Sequence, residues 1–167
     1  MKIRGATLED ISSILNIIND AILHTTAVYD YEIKTKEEQV EWFQQKMDKN
    51  MPVIIAEYES EVIGYGTFDY FRPRIGYKYT VEHSVYVAKG FQGKGVGKLV
   101  LEELIKIATK KGFHTMIAGI DAKNKGSIEF HKKLGFKEVG RLKEVGYKFN
   151  TWLDVVFMQR ILLEKEN

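Results

Sequence analysis

Residues 81–97 read VEHSVYVAKGFQGKGVG, and this stretch predicts a strand that passes through a glycine-rich turn into a helix. Residues 81–87 alternate with the period of two that is typical of a strand. From Val96 onward, apolar residues recur at helical spacing and predict a long helix that ends near Gly112. Backbone amides in such a turn converge on an anion, with help from the helix dipole. The stretch therefore predicts a phosphate-binding turn.

The rest of the chain alternates strands and helices around this stretch. The other predicted elements are a strand at residues 2–6, a helix capped by Thr7, a helix that begins with a capping box of Thr35 and Glu38, a hairpin of residues 53–58 and 62–70, a strand at 114–121, a helix at 124–134, and two strands within 136–163 around a turn near Asn150. This order predicts an α/β fold with helices on both faces of a mixed sheet. Because the chain has two prolines and no repetitive linker, we expect one domain over residues 1–167.

Composition excludes several classes of protein. The net charge is +2, from 25 basic and 23 acidic residues, so we expect no nucleic-acid partner. No apolar run approaches the roughly 20 residues of a membrane helix, and residues 1–10 lack the apolar core of a signal peptide, which predicts a cytoplasmic protein without membrane contact. The chain has no cysteine, so a disulfide framework and a thiol nucleophile are excluded.

The spacing of the glycines separates this turn from other phosphate sites. The dinucleotide pattern G-x-G-x-x-G would need a glycine at position 98, which is Lys98, and no G-x-x-x-x-G-K-[ST] pattern can be drawn through the loop. The pattern that fits is Q-x-x-G-x-G, at Gln92, Gly95 and Gly97. Taken alone, the loop could still be an ordinary tight turn without a ligand.

With its flanking strand and helix, the loop resembles the acetyl-CoA site of the GNAT superfamily of N-acetyltransferases. Residues 80–87 narrow the resemblance to the phosphinothricin and methionine sulfoximine N-acetyltransferase group. The supporting matches are Trp42, Asn124, His131, residues 134–136 and residues 152–155, so the likeness spans nearly the whole chain. It implies the GNAT fold, with a mixed, mostly antiparallel sheet of about seven strands. It also implies acetyl-CoA as co-substrate, no metal ion, and a homodimer that pairs through the C-terminal strands.

The resemblance assigns a cofactor site. Pantetheine is expected beside the strand of residues 81–87, where it adds to the strand much as a peptide adds to a sheet edge. The pyrophosphate is expected on the loop, and the adenosine end near the last turn of the helix at 124–134. The expected cofactor-binding residues are Val85, Tyr86, Val87, Gln92, Gly93, Lys94, Gly95, Val96, Gly97, Lys98, Asn124 and Lys133.

Two residues are the catalytic candidates. Glu82 matches the general base of the family, which acts through water, although it could also be a solvated strand carboxylate. A backbone amide near Val87 is the expected oxyanion donor. His131 stands where many relatives carry a tyrosine as general acid. It could donate a proton near neutral pH, or it could be a packed helix residue that holds the cofactor. His83 lies on the same face of the predicted strand as Val81, Val85 and Val87, and we expect it to be a core histidine.

The acceptor is expected to be a small amine. Paired arginines can clamp a carboxylate and a second oxyanion, and the loop of residues 71–79 carries two of them. In the group that the chain resembles, this loop and the loop between the first two helices line the acceptor pocket. The resemblance therefore implies four acceptor-binding residues: Tyr29, Glu32, Arg72 and Arg74. The alternative acceptors are a protein N-terminus and a polyamine. An alternative function is a non-catalytic acyl-CoA-binding module. The alternative for the two arginines is that they belong to a solvated basic loop.

Overall fold

Seven strands and four α-helices follow one another in the predicted order in the computed structural model, which describes residues 1–162. The strands are β1 (Lys2–Gly5), β2 (Val53–Tyr58), β3 (Glu61–Tyr70), β4 (Thr80–Val87), β5 (Thr115–Asp121), β6 (Lys137–Lys148) and β7 (Thr151–Ile161). The helices are α1 (Ile11–His24), α2 (Lys36–Asp48), α3 (Val96–Lys110) and α4 (Lys125–Lys133). The prediction of a mixed α/β fold with about seven strands is confirmed.

The strands are hydrogen-bonded in the order β1-β2-β3-β4-β5-β7-β6. The pairs β1–β2, β2–β3, β5–β7 and β6–β7 are antiparallel, and β4 pairs with β5 in parallel from Thr80 to Glu82. The chain divides into two units by its internal contacts: Met1–Phe68 with Ser84–Leu104, and Asp69–His83 with the chain from Ile105 onward. One domain over residues 1–167 remains a prediction.

In the first unit, helices cover both faces of the β2–β3 pair. Ile55 pairs with Tyr65, and both join the core formed by α1 and α2. The neighbouring Gly64 and Gly66 face the opposite way, towards the start of α3. A Cβ at Gly66 would lie 2.5 Å from Val100 Cγ1, so the missing side chain lets α3 approach the strand. Helices on both faces are thereby confirmed for this unit.

Local sequence explains how several elements begin and end. The predicted capping box of α2 is present, because Thr35 Oγ1 accepts from Glu38 N and Glu38 Oε2 accepts from Thr35 N. At the first helix the prediction was wrong by one turn. Thr7 precedes a 3-10 turn over Leu8–Asp10, and α1 begins only at Ile11. Asp10 ends that turn with a carboxylate that accepts from Thr7 N, so the two residues close a tight turn before the helix.

In the second unit, β5 is the buried strand, with β4 on one side and β7 on the other. Met116 and Ala118 on one face of β5 are almost inaccessible to solvent. The long hairpin β6–β7 turns at Phe149 and Asn150, which both have positive φ angles and so match the tight hairpin turn predicted near Asn150. Residue 163, the last of the predicted strand region, lies outside the described residues.

Candidate functional site

The glycine loop has the conformation that the phosphate-site prediction needs. Gly93 and Gly95 have φ angles of 73° and 84°, in the left-handed region that favours glycine, and the space around both is open. Gly95 O accepts the first helical hydrogen bond of α3 from Leu99 N, so the loop passes directly into the helix. The amides of the loop therefore lie at the positive end of a fifteen-residue helix.

Side chains hold the loop and add positive charge to it. Gln92 Nε2 donates to Val87 O over 3.4 Å, which links the loop to the end of β4. Val96 is buried and anchors the start of α3. Lys94 Nζ lies 5.2 Å from the centre of the Phe91 ring, a cation–π distance. Lys98 follows on the first turn, with Nζ 3.8 Å from Glu102 Oε1, and Gly97 lies between Val96 and Lys98.

The second half of β4 lies against β3 in the first unit. Ala88 N donates to Ile63 O over 2.9 Å, just beyond the strand end. A Cβ at Gly64 would lie 3.0 Å from Tyr86 O, so the backbones come close there. The Tyr86 ring packs on Tyr65, with ring centres 5.2 Å apart. The predicted pantetheine residues Val85, Tyr86 and Val87 are half-buried, which leaves part of each accessible.

Glu82 is half-buried on the first half of β4, in the second unit. It pairs in register with Ile117 of β5 and faces Gly119, where an added Cβ would lie 3.2 Å from Glu82 Oε1. Burial raises the pKa of the Glu82 carboxyl above its ordinary value, and the positive charge of Arg72 opposes part of that rise. A carboxyl with a raised pKa, held by a strand and partly open to solvent, is a stronger base than an ordinary exposed carboxylate.

Aromatic residues hold the arginine loop before β4. Phe71 N donates to Thr80 O, and the Phe71 ring makes an edge-to-face contact with Phe157 of β7. The Arg72 guanidinium lies 5.0 Å from the Phe71 ring. Arg74 precedes a 3-10 turn over Ile75–Tyr77, and both arginines are exposed. Of the predicted acceptor residues, Arg72 is the one whose positive charge lowers the pKa of Glu82.

The two other predicted acceptor residues lie in the first unit, on the loop between α1 and α2. Tyr29 and Glu32 are exposed there. Asn19 of α1 ties this loop down, because its side chain accepts from Lys34 N over 2.8 Å and donates to Lys34 O over 3.0 Å. The loop is therefore fixed at its C-terminal end, close to the start of α2.

Asn124 caps α4. Its side-chain oxygen accepts from Ser127 N over 3.0 Å, and its backbone N donates to Asp121 O at the end of β5. Because the cap uses the side-chain oxygen, the side-chain amide nitrogen is the group that could donate to a ligand. Lys133 lies in the last turn of the same helix and is exposed. Both residues are in the second unit.

His131 and His83 contact each other. His131 Nε2 lies 3.1 Å from His83 Nε2, and His131 Nδ1 lies 2.7 Å from Ser127 O. Both histidines are buried, and burial lowers the pKa of each. His83 is in the core, as predicted, but its Nδ1 has no hydrogen-bond partner among residues 1–162.

Sequence reasoning missed Gly119 and the histidine contact. A glycine inside a predicted strand often marks a close approach, so the position of Gly119 within residues 114–121 was a usable signal. His83 and His131 are 48 positions apart in the sequence, so no local signal predicted their contact. Within residues 1–162 there is no cluster of three or more side chains suited to a metal ion. In the same part of the chain, no helix is both long and apolar enough to cross a membrane.

Comparison with known proteins extends these observations. Residues 17–136 match the acetyltransferase (GNAT) family. The chain is 40% identical over 159 residues to a Salmonella typhimurium protein described as L-methionine sulfoximine/L-methionine sulfone acetyltransferase, an alignment that covers 95% of this chain and 93% of that protein.

Two solved structures are also similar. A ribosomal-protein-alanine N-acetyltransferase from Brucella melitensis is 42% identical with a TM-score of 0.95, over 96% of this chain and 99% of that one. A GNAT superfamily phosphinothricin acetyltransferase from Sinorhizobium meliloti in complex with AcCoA is 36% identical with a TM-score of 0.93, over 96% and 87% of the two chains. These matches confirm the resemblance carried by residues 80–97, and the chain belongs to the acetyltransferase (GNAT) family.

Proposed function

We propose that this protein transfers the acetyl group of acetyl-CoA to the α-amino group of a small amino-acid-like acceptor such as phosphinothricin or methionine sulfoximine. The observation that carries the proposal is the half-buried Glu82 carboxyl on β4, which faces Gly119 and whose pKa is raised by burial and lowered in part by the positive charge of Arg72. The relative from Salmonella typhimurium is named for its methionine sulfoximine substrate, and the relative from Sinorhizobium meliloti is a phosphinothricin acetyltransferase in complex with AcCoA; both support the same reaction.

In the proposed reaction, an ammonium group of the acceptor first loses a proton to Glu82 through water. The free amine then attacks the thioester carbonyl, and the carbonyl oxygen becomes an oxyanion that a backbone amide near Val87 stabilises. The nitrogen of the tetrahedral intermediate carries one extra proton. The C–S bond breaks as the carbonyl re-forms, this proton passes through water to the departing CoA thiolate, and the products are the amide and the CoA thiol. No metal ion takes part in these steps.

The proposed cofactor residues fall in both units. In the first unit, Val85 to Val87 bond the pantetheine, and Gln92 to Lys98 bind the pyrophosphate through backbone amides with charge from Lys94 and Lys98. In the second unit, the Asn124 side chain contacts the pantetheine, and Lys133 binds near the adenosine end. The open left-handed glycines and the amide nitrogen of Asn124 support these roles.

The acceptor is proposed to bind through Tyr29, Glu32, Arg72 and Arg74. Arginines bind carboxylates and tetrahedral oxyanions through paired N–H groups, which suits an acceptor with a carboxylate and a second anionic group. The exposure of both arginines leaves their guanidinium groups accessible to such a ligand. Arg72 would bind the acceptor, and its charge also lowers the pKa of Glu82.

A protein N-terminus is the second candidate acceptor, because one solved relative is described as a ribosomal-protein-alanine N-acetyltransferase. A polyamine is less compatible with the two exposed arginines, since like charges repel. A non-catalytic acyl-CoA-binding module would keep the glycine loop and lose the need for Glu82.

The proposal is tested by measuring CoA thiol release with methionine sulfoximine, phosphinothricin, free methionine, an alanine-terminated peptide and spermidine. We expect the first two to give the highest kcat/KM. Glu82→Gln should abolish most of this activity, whereas Glu61→Gln, an exposed strand glutamate, serves as the matched control. Binding of acetyl-CoA in calorimetry without turnover of any amine would instead identify a binding module.

We also propose a single-domain cytoplasmic homodimer. The hairpin β6–β7 exposes a row of large apolar side chains: Leu142, Val145, Tyr147, Phe149 and Trp152. Several large exposed apolar side chains on one hairpin are typical of a protein interface. We expect light scattering to give twice the chain mass of 19.3 kDa, and Trp152→Glu to give the monomer mass. A monomer mass for the unmodified protein would contradict the dimer.

A further inference from the structure

The parallel ladder between β4 and β5 ends at Glu82, and the next residue of β4 is His83. Backbone hydrogen bonds therefore tie β4 to β5 only as far as the proposed base. Beyond that point, the His83 side chain reaches α4 and contacts His131. Glu82 and His83 point to opposite faces of the strand, since successive side chains alternate. His83, which follows the proposed base Glu82, thus links β4 to α4.

The protonation of this histidine pair follows from its partners. A backbone carbonyl only accepts hydrogen bonds, so His131 Nδ1, 2.7 Å from Ser127 O, must carry a proton. In a neutral ring, His131 Nε2 is then an acceptor, and its partner His83 Nε2, 3.1 Å away, must donate. That leaves His83 Nδ1 as a bare lone pair, which agrees with its lack of a partner among the described residues.

We infer that His83 and His131 form an uncharged clamp that positions the Glu82 segment of β4 against α4, and that neither histidine donates a proton in the reaction. The inference rests on the proposed function for the base, and it reassigns His131 from general acid to positioning residue. The donor chain runs from His83 Nε2 to His131 Nε2 and from His131 Nδ1 to Ser127 O. Ser127 N in turn bonds the Asn124 side chain, so the clamp ends at the helix cap.

A general acid needs a proton that can reach the leaving thiolate, and this pair offers none. Both nitrogens of His131 are engaged, and its Nε2 carries a lone pair rather than a proton. Burial and the neighbouring His131 lower the pKa of His83 to about 3. Burial also lowers the pKa of His131, and the Ser127 carbonyl opposes part of that change. Glu82 lies on the other face of β4, away from the pair.

Side-chain ¹⁵N NMR of the full chain tests the protonation states directly, because only four histidines contribute. We expect His131 to be neutral with its proton on Nδ1, and His83 to be neutral with its proton on Nε2, from about pH 6 to 8. The exposed His24 lies outside this pair and provides a comparison signal in the same spectra. Titration of His131 within that range, or a proton on its Nε2, would overturn the inference whether or not the protein acetylates any amine.

Kinetics of variants test the positioning role. His83→Gln retains an N–H donor for His131 and should keep kcat within about tenfold, whereas His83→Leu removes the donor and should lower kcat by about 100-fold. In His131→Gln we expect kcat to fall by about tenfold at all pH values, with the alkaline limb of the pH profile unmoved. Equal losses in His83→Gln and His83→Leu, or loss of the alkaline limb in His131→Gln, would refute the clamp. His24→Gln is the control. If no amine is acetylated, the proposed function fails, and the NMR result still decides the state of the pair.

Discussion

Gly66→Ala should separate α3 from β3 and so weaken both the fold and the cofactor site. An added Cβ would lie 2.5 Å from Val100 Cγ1 and 2.9 Å from Leu104 Cδ1, where carbon atoms normally stay about 3.5 to 4.0 Å apart. Both side chains are fully buried. Leu104 can rotate to relieve its contact. Val100 cannot do so cheaply, because valine in a helix strongly prefers one rotamer.

The expected cost follows from these contacts. Inserting a methyl into a packed core costs about 1 to 3 kcal/mol. The φ angle of Gly66 is not positive, so alanine adds no backbone strain and reduces the freedom of the unfolded chain, which returns about 0.4 to 1 kcal/mol. We therefore expect the free energy of unfolding to fall by about 1 to 2 kcal/mol. For a chain of this size, that lowers Tm by about 2 to 8 °C.

Urea and thermal unfolding measure the loss of stability, and Gly140→Ala is the control, because nothing lies within 4 Å of a Cβ at that position. The glycine loop leads into α3, so movement of the helix should also raise the KM for acetyl-CoA by about 3- to 10-fold. An unchanged free energy of unfolding in Gly66→Ala, together with an unchanged KM, would show that α3 does not depend on this close approach.

Glu82→Gln should lower kcat by about 10²- to 10⁴-fold, measured as thiol release at saturating substrates, and a change below threefold would exclude it as the base. Arg72→Ala removes the charge that lowers the pKa of Glu82, so the acid limb of the kcat/KM profile should move to higher pH; a limb that stays in place contradicts their coupling. Asp10→Asn should cost about 1.5 to 3 kcal/mol at pH 7, because the Asp10 carboxylate accepts two hydrogen bonds from Arg4. Arg4 depresses the pKa of Asp10 in the folded protein, so this stabilisation is complete above the pKa that Asp10 has in the unfolded chain and disappears as pH falls through its pKa in the folded protein. Urea unfolding should therefore give free energies of unfolding for the unmodified protein and for Asp10→Asn that differ at neutral pH and converge in acid. A difference that persists in acid would refute the pairing.

Local patterns in the sequence were sufficient wherever neighbouring residues determine the structure. The capping box at Thr35, the glycine loop and the turn at Asn150 each depend on a few adjacent residues. The alternation in residues 81–87 correctly placed Val81 and His83 on the buried face of β4. Helical spacing also identified α3, in which Leu101 and Ile105 are buried and Ile107 is half-buried.

Contacts between distant segments could not be predicted in the same way. Gly119 faces Glu82 because β4 pairs with β5 in one particular register, and a shift of one residue would move Gly119 to the other face. The bond between His83 and His131 depends on where α4 crosses the sheet, which no local pattern encodes. The raised pKa of Glu82 likewise depends on burial by the assembled fold.

The strand order has a consequence for synthesis of the protein. β5 lies between β4 and β7, yet β7 is made after β6 and is the last strand along the chain. While the ribosome is still translating the hairpin, one edge of β5 has no strand to pair with, and its apolar run from Met116 to Ala118 is open to other chains. Until the hairpin is complete, this unpaired edge therefore leaves the nascent chain open to aggregation.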